Sequence, residues 1–455
     1  MKKLEIKKFL ILNSIKIEYT DLLVIIGPQA QGKSLISKLL YFFESMDKEI
    51  ISNIILGATK AQLNKNLVEK FLRIFTLENL INTEIDIFFK NENYGCKIFK
   101  AMNNSKINIE FDDALNEKIK NLKLSFNKCK KLKEQFGFPV LYEALDEDMW
   151  SNLNIDSLVE NFSTFYLSNG KKDLKALFKK DKDDLNIELI KTKFRQSLEF
   201  DRSFINISNA IYIPAGRSFF ANLQKSIFNF LTNNLPIEYF LKEFGAKYER
   251  LKNGYNEHSR SIFKSNKRKS EFDAVCLNIL GGNYVRQKDR DYIKSKNGDL
   301  VNLEYASSGQ QEALPMLLTI ASILKNTTVI IEEPEAHLYP SAQAEVVKLI
   351  GKVYNNTNMQ SKYIVTTHSP YILMSINNSI QGYNAKINQN EVKSSSAKEW
   401  INSGIKASNI SAYILNSGKI KSIIDEETGL INAFEIDQIS SKLSEDFEEL
   451  LGIED

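Results

Sequence analysis

The chain has 455 residues, 43% of them hydrophobic and 26% charged, with 60 Lys+Arg against 57 Asp+Glu and a net charge of +3. This length suggests roughly two to four domains or one large discontinuous one, and the composition excludes a disordered or fibrous chain. The near balance of charge excludes a generally nucleic-acid-binding composition, so any basic surface must be local.

Residues 3–9 and 14–19 alternate polar and apolar side chains, and Leu22-Leu23-Val24-Ile25-Ile26 is an unbroken apolar run, the pattern of a strand buried on both faces. Leu35, Ile36, Leu39, Leu40 and Phe43 then recur at helical spacing. Three β-rich runs between 83 and 111, separated by Asn-rich turns, predict an antiparallel meander. From 113 to 204 the apolar step changes to threes and fours (Leu115, Ile119, Leu122, Phe126), which predicts a helical insertion. A strand returns at Ala210 and ends in Pro214-Ala215-Gly216-Arg217. Lys296-Asn297-Gly298-Asp299 signals a hairpin. An apolar helix follows (Leu314, Leu317, Leu318, Ile320), then two more buried strands, Val329-Ile330-Ile331 and Tyr363-Ile364-Val365. Strands alternating with helices predict a parallel sheet and an α/β fold. The last stretch reads as a hairpin around Asn416-Ser417-Gly418 and a helix with Ile436, Ile439, Leu443, Phe447 and Leu450 on one face. Residues 425–455 hold eleven acids and one lysine, Lys442, so this end is either a solvated or a partner-docking helix. The divisions are 1–112, 113–204, 205–395 and 396–455.

Cys96, Cys129 and Cys276 are odd in number, far apart and without CxxC spacing, so neither a disulfide framework nor a zinc site is expected and a reduced, cytoplasmic setting is the natural reading. No apolar run reaches the roughly eighteen residues of a membrane helix, so no membrane association is expected.

Four motifs carry chemistry. Gly27-Pro28-Gln29-Ala30-Gln31-Gly32-Lys33-Ser34, followed by Leu35, matches GxxxxGK[ST] between a buried strand and an amphipathic helix. Inward N–H groups and the positive helix end would hold phosphates, Lys33 would add a charge and Ser34 a Mg²⁺ ligand. Glu332 and Glu333 close an apolar strand as in Walker B, the first acid serving Mg²⁺ and the second polarising the attacking water. Neighbouring strand residues point oppositely, so the two acids cannot share one role. His368, in Thr366-Thr367-His368-Ser369-Pro370, stands after a parallel strand, where it can reach a γ-phosphate. Ser307-Ser308-Gly309-Gln310 opens a helix, and its hydroxyls and glycine suit either simple capping or anion binding. His337 lies within the Walker B segment, whereas His258 reads as a structural histidine.

In their order these motifs resemble the ABC-type ATPase heads of the SMC, RecF and OLD-like group. The run Ile331-Glu332-Glu333-Pro334-Glu335-Ala336-His337-Leu338-Tyr339-Pro340 is especially similar to the OLD-like branch of AAA-family ATPases. The resemblance implies a P-loop NTPase head with a mixed β-sheet and an inserted helical domain. It implies ATP and Mg²⁺ as cofactors, Glu333 as catalytic base, His368 as switch histidine, and Ser307 with Gly309 as signature residues that close over ATP held by another copy. Ser308 replaces the family's first signature glycine and Glu332 its more familiar Asp. No glutamine loop is evident; Arg217 is read either as a near-phosphate group in its stead or as a plain surface arginine. The stretch between Ser34 and Ser307 holds no long heptad array, unlike a long-armed SMC clamp. The acids after Ser369 lie in a turn and on an amphipathic helix, so no Toprim nuclease domain is expected.

The expected function is therefore an ATPase that assembles through shared sites. It would act as sensor and scaffold for a separate effector, a nuclease above all, in bacterial anti-phage defence of the PARIS, Septu or Gabija kind. The alternative is a RecF-like repair ATPase acting on DNA; a transporter cassette fits poorly. Lys247, Arg250, Lys252, Arg260, Lys264, Lys267, Arg268 and Lys269, interleaved with Tyr248, Tyr255 and Phe263, are either a DNA-phosphate surface or a solvated loop.

Overall fold

A computed structural model describes residues 1–136 (except 77, 103 and 105), 209–221, 237–257, 263, 266–323, 326–356, 360–386, 392–432 and 434–451. Its strands are β1 (Lys2–Phe9), β2 (Leu12–Tyr19), β3 (Leu22–Ile26), β4 (Ile85–Lys90), β5 (Gly95–Lys100), β6 (Asn108–Phe111), β7 (Asn209–Ile213), β8 (Gly282–Gln287), β9 (Arg290–Ser295), β10 (Leu300–Asn302), β11 (Thr327–Glu332), β12 (Lys362–Thr367), β13 (Ile410–Asn416) and β14 (Lys419–Ser422). Its helices are α1 (Lys33–Glu44), α2 (Met46–Ile55), α3 (Lys60–Phe75), α4 (Asp113–Phe136), α5 (Tyr239–Glu257), α6 (Asn266–Leu280), α7 (Ser308–Ala321), α8 (Pro340–Tyr354), α9 (Pro370–Asn384), α10 (Ser395–Asn402) and α11 (Phe434–Leu451).

The central sheet has six strands in the order β14-β13-β3-β12-β11-β7, parallel from β13 to β7 with β14 antiparallel at the edge. A second, antiparallel sheet runs β2-β1-β4-β5-β6, and a third runs β10-β9-β8. The expected α/β arrangement with a mixed sheet is therefore present. β3 shows why its sequence is apolar without alternation. Leu22, Val24 and Ile26 enter the core built with α7, α8 and α9, while Leu23 and Ile25 enter the core built with the antiparallel sheet and α1 to α3. Each such fully buried Leu or Ile contributes about 1.5–3 kcal/mol. α1 turns Ile36, Leu39 and Leu40 inward, so the P-loop helix is anchored along its length.

β7 stops at Ile213, one residue before Pro214, whose ring nitrogen could not donate to the ladder. The Asn297-Gly298 hairpin joins β9 to β10, and β8 completes a three-stranded ribbon. The sequence alone hid β8, because Asn283, Arg286 and Gln287 obscure its alternation. α4 is the helix expected from residue 113, and its Leu115, Ile119 and Leu122 are buried in the same core as the antiparallel sheet; residues 137–204 of the expected insertion lie outside the described residues. Cys96 and Cys276 are buried core thiols, and the side chain of Cys129 is outside the described set.

Candidate functional site

β3, β12, β11 and β7 are neighbours and parallel, so the loops leaving their carboxyl ends lie side by side, about 4.8 Å apart from strand to strand. Those loops are the P-loop, the His368 segment, the Glu332–Glu333 end and Pro214–Arg217. This edge is where open α/β sheets bind ligands.

Gly27 leaves β3 so close to β13 that an added Cβ would sit 2.1 Å from the carbonyl oxygen of Leu415. Gly32, at φ +98°, would bring a Cβ to 2.8 Å from Leu12. Pro28, Gln29 and Ala30 form the exposed crest, and the Gln31 side chain accepts a 2.6 Å bond from the backbone N–H of Ser417. α1 opens at Gly32 with no capping side chain and no acid in its first turn, leaving its first N–H groups to an anion. Lys33 is buried. Its Nζ donates to the carbonyls of Gly27 (2.7 Å) and Pro28 (2.6 Å) and lies 3.4 Å from His368 Nδ1. An ammonium can only donate, so Nδ1 is the acceptor, and the proton of the neutral imidazole falls to Nε2, 3.5 Å from Glu333 Oε1. Lys33, His368 and Glu333 thus form a continuous polar chain across three strand ends. Burial draws Lys33 below the ordinary lysine range, with Glu333 and then Glu335 opposing it. Ser34 is exposed at the mouth and Leu35 is half-buried beneath it.

The two Walker B acids part as the strand ends. Glu332 stays in β11 and is buried; its Oε1 lies 3.3 Å from Ser37 Oγ, itself 2.8 Å from the Tyr212 hydroxyl. Burial, reinforced by Glu332, holds that phenol well above the usual tyrosine range, so Tyr212 stays a neutral donor. Glu333 bends out with φ +44°, its N–H fixed to the Thr366 carbonyl at 2.9 Å and its carboxylate turned to His368. No motif in the sequence points to Glu335, Ser37 or Tyr212. Glu335 accepts a 2.6 Å bond from the His368 N–H, and its Oε2 is buried without a partner. Only the third acid of Glu332-Glu333-Pro334-Glu335 could have signalled it.

Side-chain-free loop glycines, an uncapped helix start and a buried ammonium together fit a nucleoside triphosphate, and the Glu332 carboxylate, reached by the long contacts of Ser37 Oγ (3.3 Å) and the Ala215 N–H (3.5 Å), fits its divalent cation. Lys33 and the N–H groups of α1 would hold the phosphates. Ser34 and Glu332 would hold Mg²⁺, which when bound neutralises charge on the phosphates.

Ser307 caps α7 in a reciprocal capping box, its N–H donating to Gln310 Oε1 at 3.0 Å and its hydroxyl accepting from the Gln310 N–H at 3.4 Å. Gln310 also donates to the Leu280 carbonyl at 2.7 Å. The capping reading is thereby met, while Ser307 and Ser308 remain exposed. Among the described residues no hydrogen bond or ion pair joins Ser307–Gln310 to the P-loop of the same chain. Gly309 packs on the segment after Walker B, where a Cβ would lie 2.6 Å from the His337 carbonyl oxygen. His337 itself is exposed at φ +57°.

Arg217 is neither a near-phosphate group nor a surface residue. It is fully buried and donates to the carbonyls of Pro214 (2.8 Å), Glu332 (2.8 Å), Glu333 (3.0 Å) and Glu312 (3.0 Å), with the Glu312 carboxylate 3.3 Å away. Burial lowers its pKa, opposed first by Glu312.

The basic stretch lies only in part on the surface. Lys252 is buried against Glu249 and Asp291, and Arg268 is buried and donates to the Ile323 carbonyl at 2.9 Å. Tyr248 and Phe263 belong to the core, and Tyr255 packs against it. The helical amphipathicity of α5 turned one side of the pattern inward; Arg250 and Lys267 stay exposed. His258, Arg260 and Lys264 lie outside the described residues.

Among solved structures, the SMC head domain of Pyrococcus furiosus bound to the C-terminal domain of ScpA aligns at a TM-score of 0.36 and 13% identity, over 98% of this chain and 100% of that one. The SMC head of Thermotoga maritima aligns at 0.34 and 10% identity, over 93% and 97%. Endonuclease GajA of Bacillus cereus (strain HuB5-5) is 24% identical over 322 residues, which take in 69% of this chain and 41% of GajA, so the chain spans about two fifths of that relative's length. No helix among the described residues is long and apolar enough to cross a membrane. The family model described as AAA ATPase domain matches residues 1–373, which hold the P-loop, the Glu332–Glu333 pair and His368, and the chain belongs to that family.

Proposed function

We propose that this protein binds ATP with Mg²⁺ and hydrolyses it, and that copies of the chain assemble by sharing nucleotide sites. The observation that carries the reading is the Lys33–His368–Glu333 chain at the ends of three adjacent parallel strands. Lys33 and the uncapped start of α1 bind the triphosphate. Glu333, poised by His368, accepts the proton of the attacking water, and His368 follows the γ-phosphate. Exposure of Ser307 and Ser308, with no bond to the P-loop of their own chain, supports their action on a second copy's nucleotide. Tyr305, two residues before Ser307, and Tyr339, two residues after the His337 that Gly309 meets, are about three-quarters exposed (76% and 78%), aromatic side chains suited to the rim of a protein contact.

We further assign the assembly the role of sensor and scaffold for a nuclease effector on another chain, in anti-phage defence. Kinship with an endonuclease, of which this chain matches only part, supports that assignment. Direct action on DNA loses part of its support with the burial of Lys252 and Arg268.

The test is phosphate release by the purified protein with two variants. Lys33→Ala loses ATP binding. Glu333→Gln keeps binding but loses about 10²–10⁴-fold in turnover, the usual share of a general base. A fully active Glu333→Gln enzyme removes Glu333 from that role, and wild-type protein that releases no phosphate overturns the reading.

A further inference from the structure

The Ser307 end of α7 and the Glu333 loop are joined through one buried pair. Glu312 sits on α7 five residues after Ser307, about 7.5 Å along the helix axis. Its two carboxylate oxygens accept the backbone N–H groups of Arg217 and Ser218, each at 2.9 Å, and its own carbonyl accepts Arg217 Nε at 3.0 Å. The opposite edge of the same guanidinium grips the carbonyls of Glu332 and Glu333 at 2.8 and 3.0 Å, at the turn where Glu333 takes its left-handed backbone. That conformation is uncommon outside glycine and persists only where its surroundings hold it. A planar guanidinium can bridge consecutive carbonyls on one edge and a helix on the other; a lysine cannot. Gly309 meets the other end of the same segment at the His337 carbonyl. A shift of the first turns of α7 must therefore move both ends of Glu333–His337.

We propose that Arg217 and Glu312 are positioning residues for hydrolysis, a buried strut through which engagement of Ser307 by a second copy's nucleotide sets the place of the Glu333 carboxylate. This rests on the proposed ATPase reading and adds its regulation: each copy's Glu333 responds to the occupancy of its own Ser307 surface.

Arg217→Lys keeps the charge but not the fork, and Glu312→Gln keeps the shape but not the charge. Both variants are expected to bind ATP within about twofold of wild type while turnover at saturating ATP falls about 10- to 100-fold, KM changing little. The double variant should be no slower than the worse single one, because the two residues act as a unit. Wild-type turnover in either folded variant, or additive losses in the double, overturns the inference. If Arg217→Lys fails to fold, Glu312→Gln decides; if neither folds, the pair is a stability element alone and the inference falls. Absence of hydrolysis by the wild type would instead sink the ATPase reading, which separates the two failures.

Discussion

Asp47, in the first turn of α2, shows how one buried acid sets a pH dependence. Its Oδ1 has no hydrogen-bond partner, and burial pushes its pKa up to about 7. The Tyr94 hydroxyl, Lys2 and Lys118 pull it down, and Glu44 adds to the rise. An aspartate in the unfolded chain titrates near 4, so folding takes up a proton between about pH 4 and pH 7. Over that window the unfolded state binds fewer protons; stability therefore falls as pH rises and levels off above 7. Asp47→Asn should abolish that slope, melting several degrees above wild type at pH 8 and alike near pH 4. Melting profiles that stay parallel over the range would refute the assignment. Asp47 was silent in the sequence, since an acid opening a helix is ordinarily exposed. Lys33, Glu333 and His368 were legible, because each type stands next to the element its chemistry requires.

Elements explain the glycines. Gly27 opens the phosphate-loop motif, yet its tightest neighbour is the carbonyl of Leu415 on β13, a strand that pairs with β3 from nearly four hundred residues away. Backbone, unlike a side-chain tip, cannot swing aside. Gly27→Ala should therefore cost about 3 kcal/mol of stability together with ATP binding. Lys33→Ala should lose binding with the fold intact, and denaturant melts of the two variants would show the difference. Urea midpoints that coincide would mean that β13 yields and that Gly27 serves the phosphates alone. The strand and helix runs were readable from period and length, but the pairing of β13 with β3 was not, because pairing between distant segments leaves no local trace. The same limit hid Arg217: Pro214-Ala215-Gly216-Arg217 marks a turn, and nothing local says that four peptide carbonyls converge on its arginine.

For the whole molecule, if a second copy completes the site as proposed, activity depends on association. Specific activity should rise with protein concentration where assembly is incomplete. Tyr339→Ala, an exposed position outside the pocket, should shift that rise to higher concentration, by about tenfold for a rim aromatic worth 1–2 kcal/mol, without altering the melting temperature. Sedimentation with a non-hydrolysable ATP analogue checks it. Specific activity independent of concentration, with monomers throughout, would remove the shared site.

The amino-acid sequence by itself determined the strands and helices that flank the site and the residue types at their ends, since apolar period and motif spacing are local properties of the chain. Only the tertiary structure decided which ends became neighbours, which cations went inward and which acid lost its partners. Those outcomes depend on strand order and on burial, and both are set by contacts between residues hundreds of positions apart.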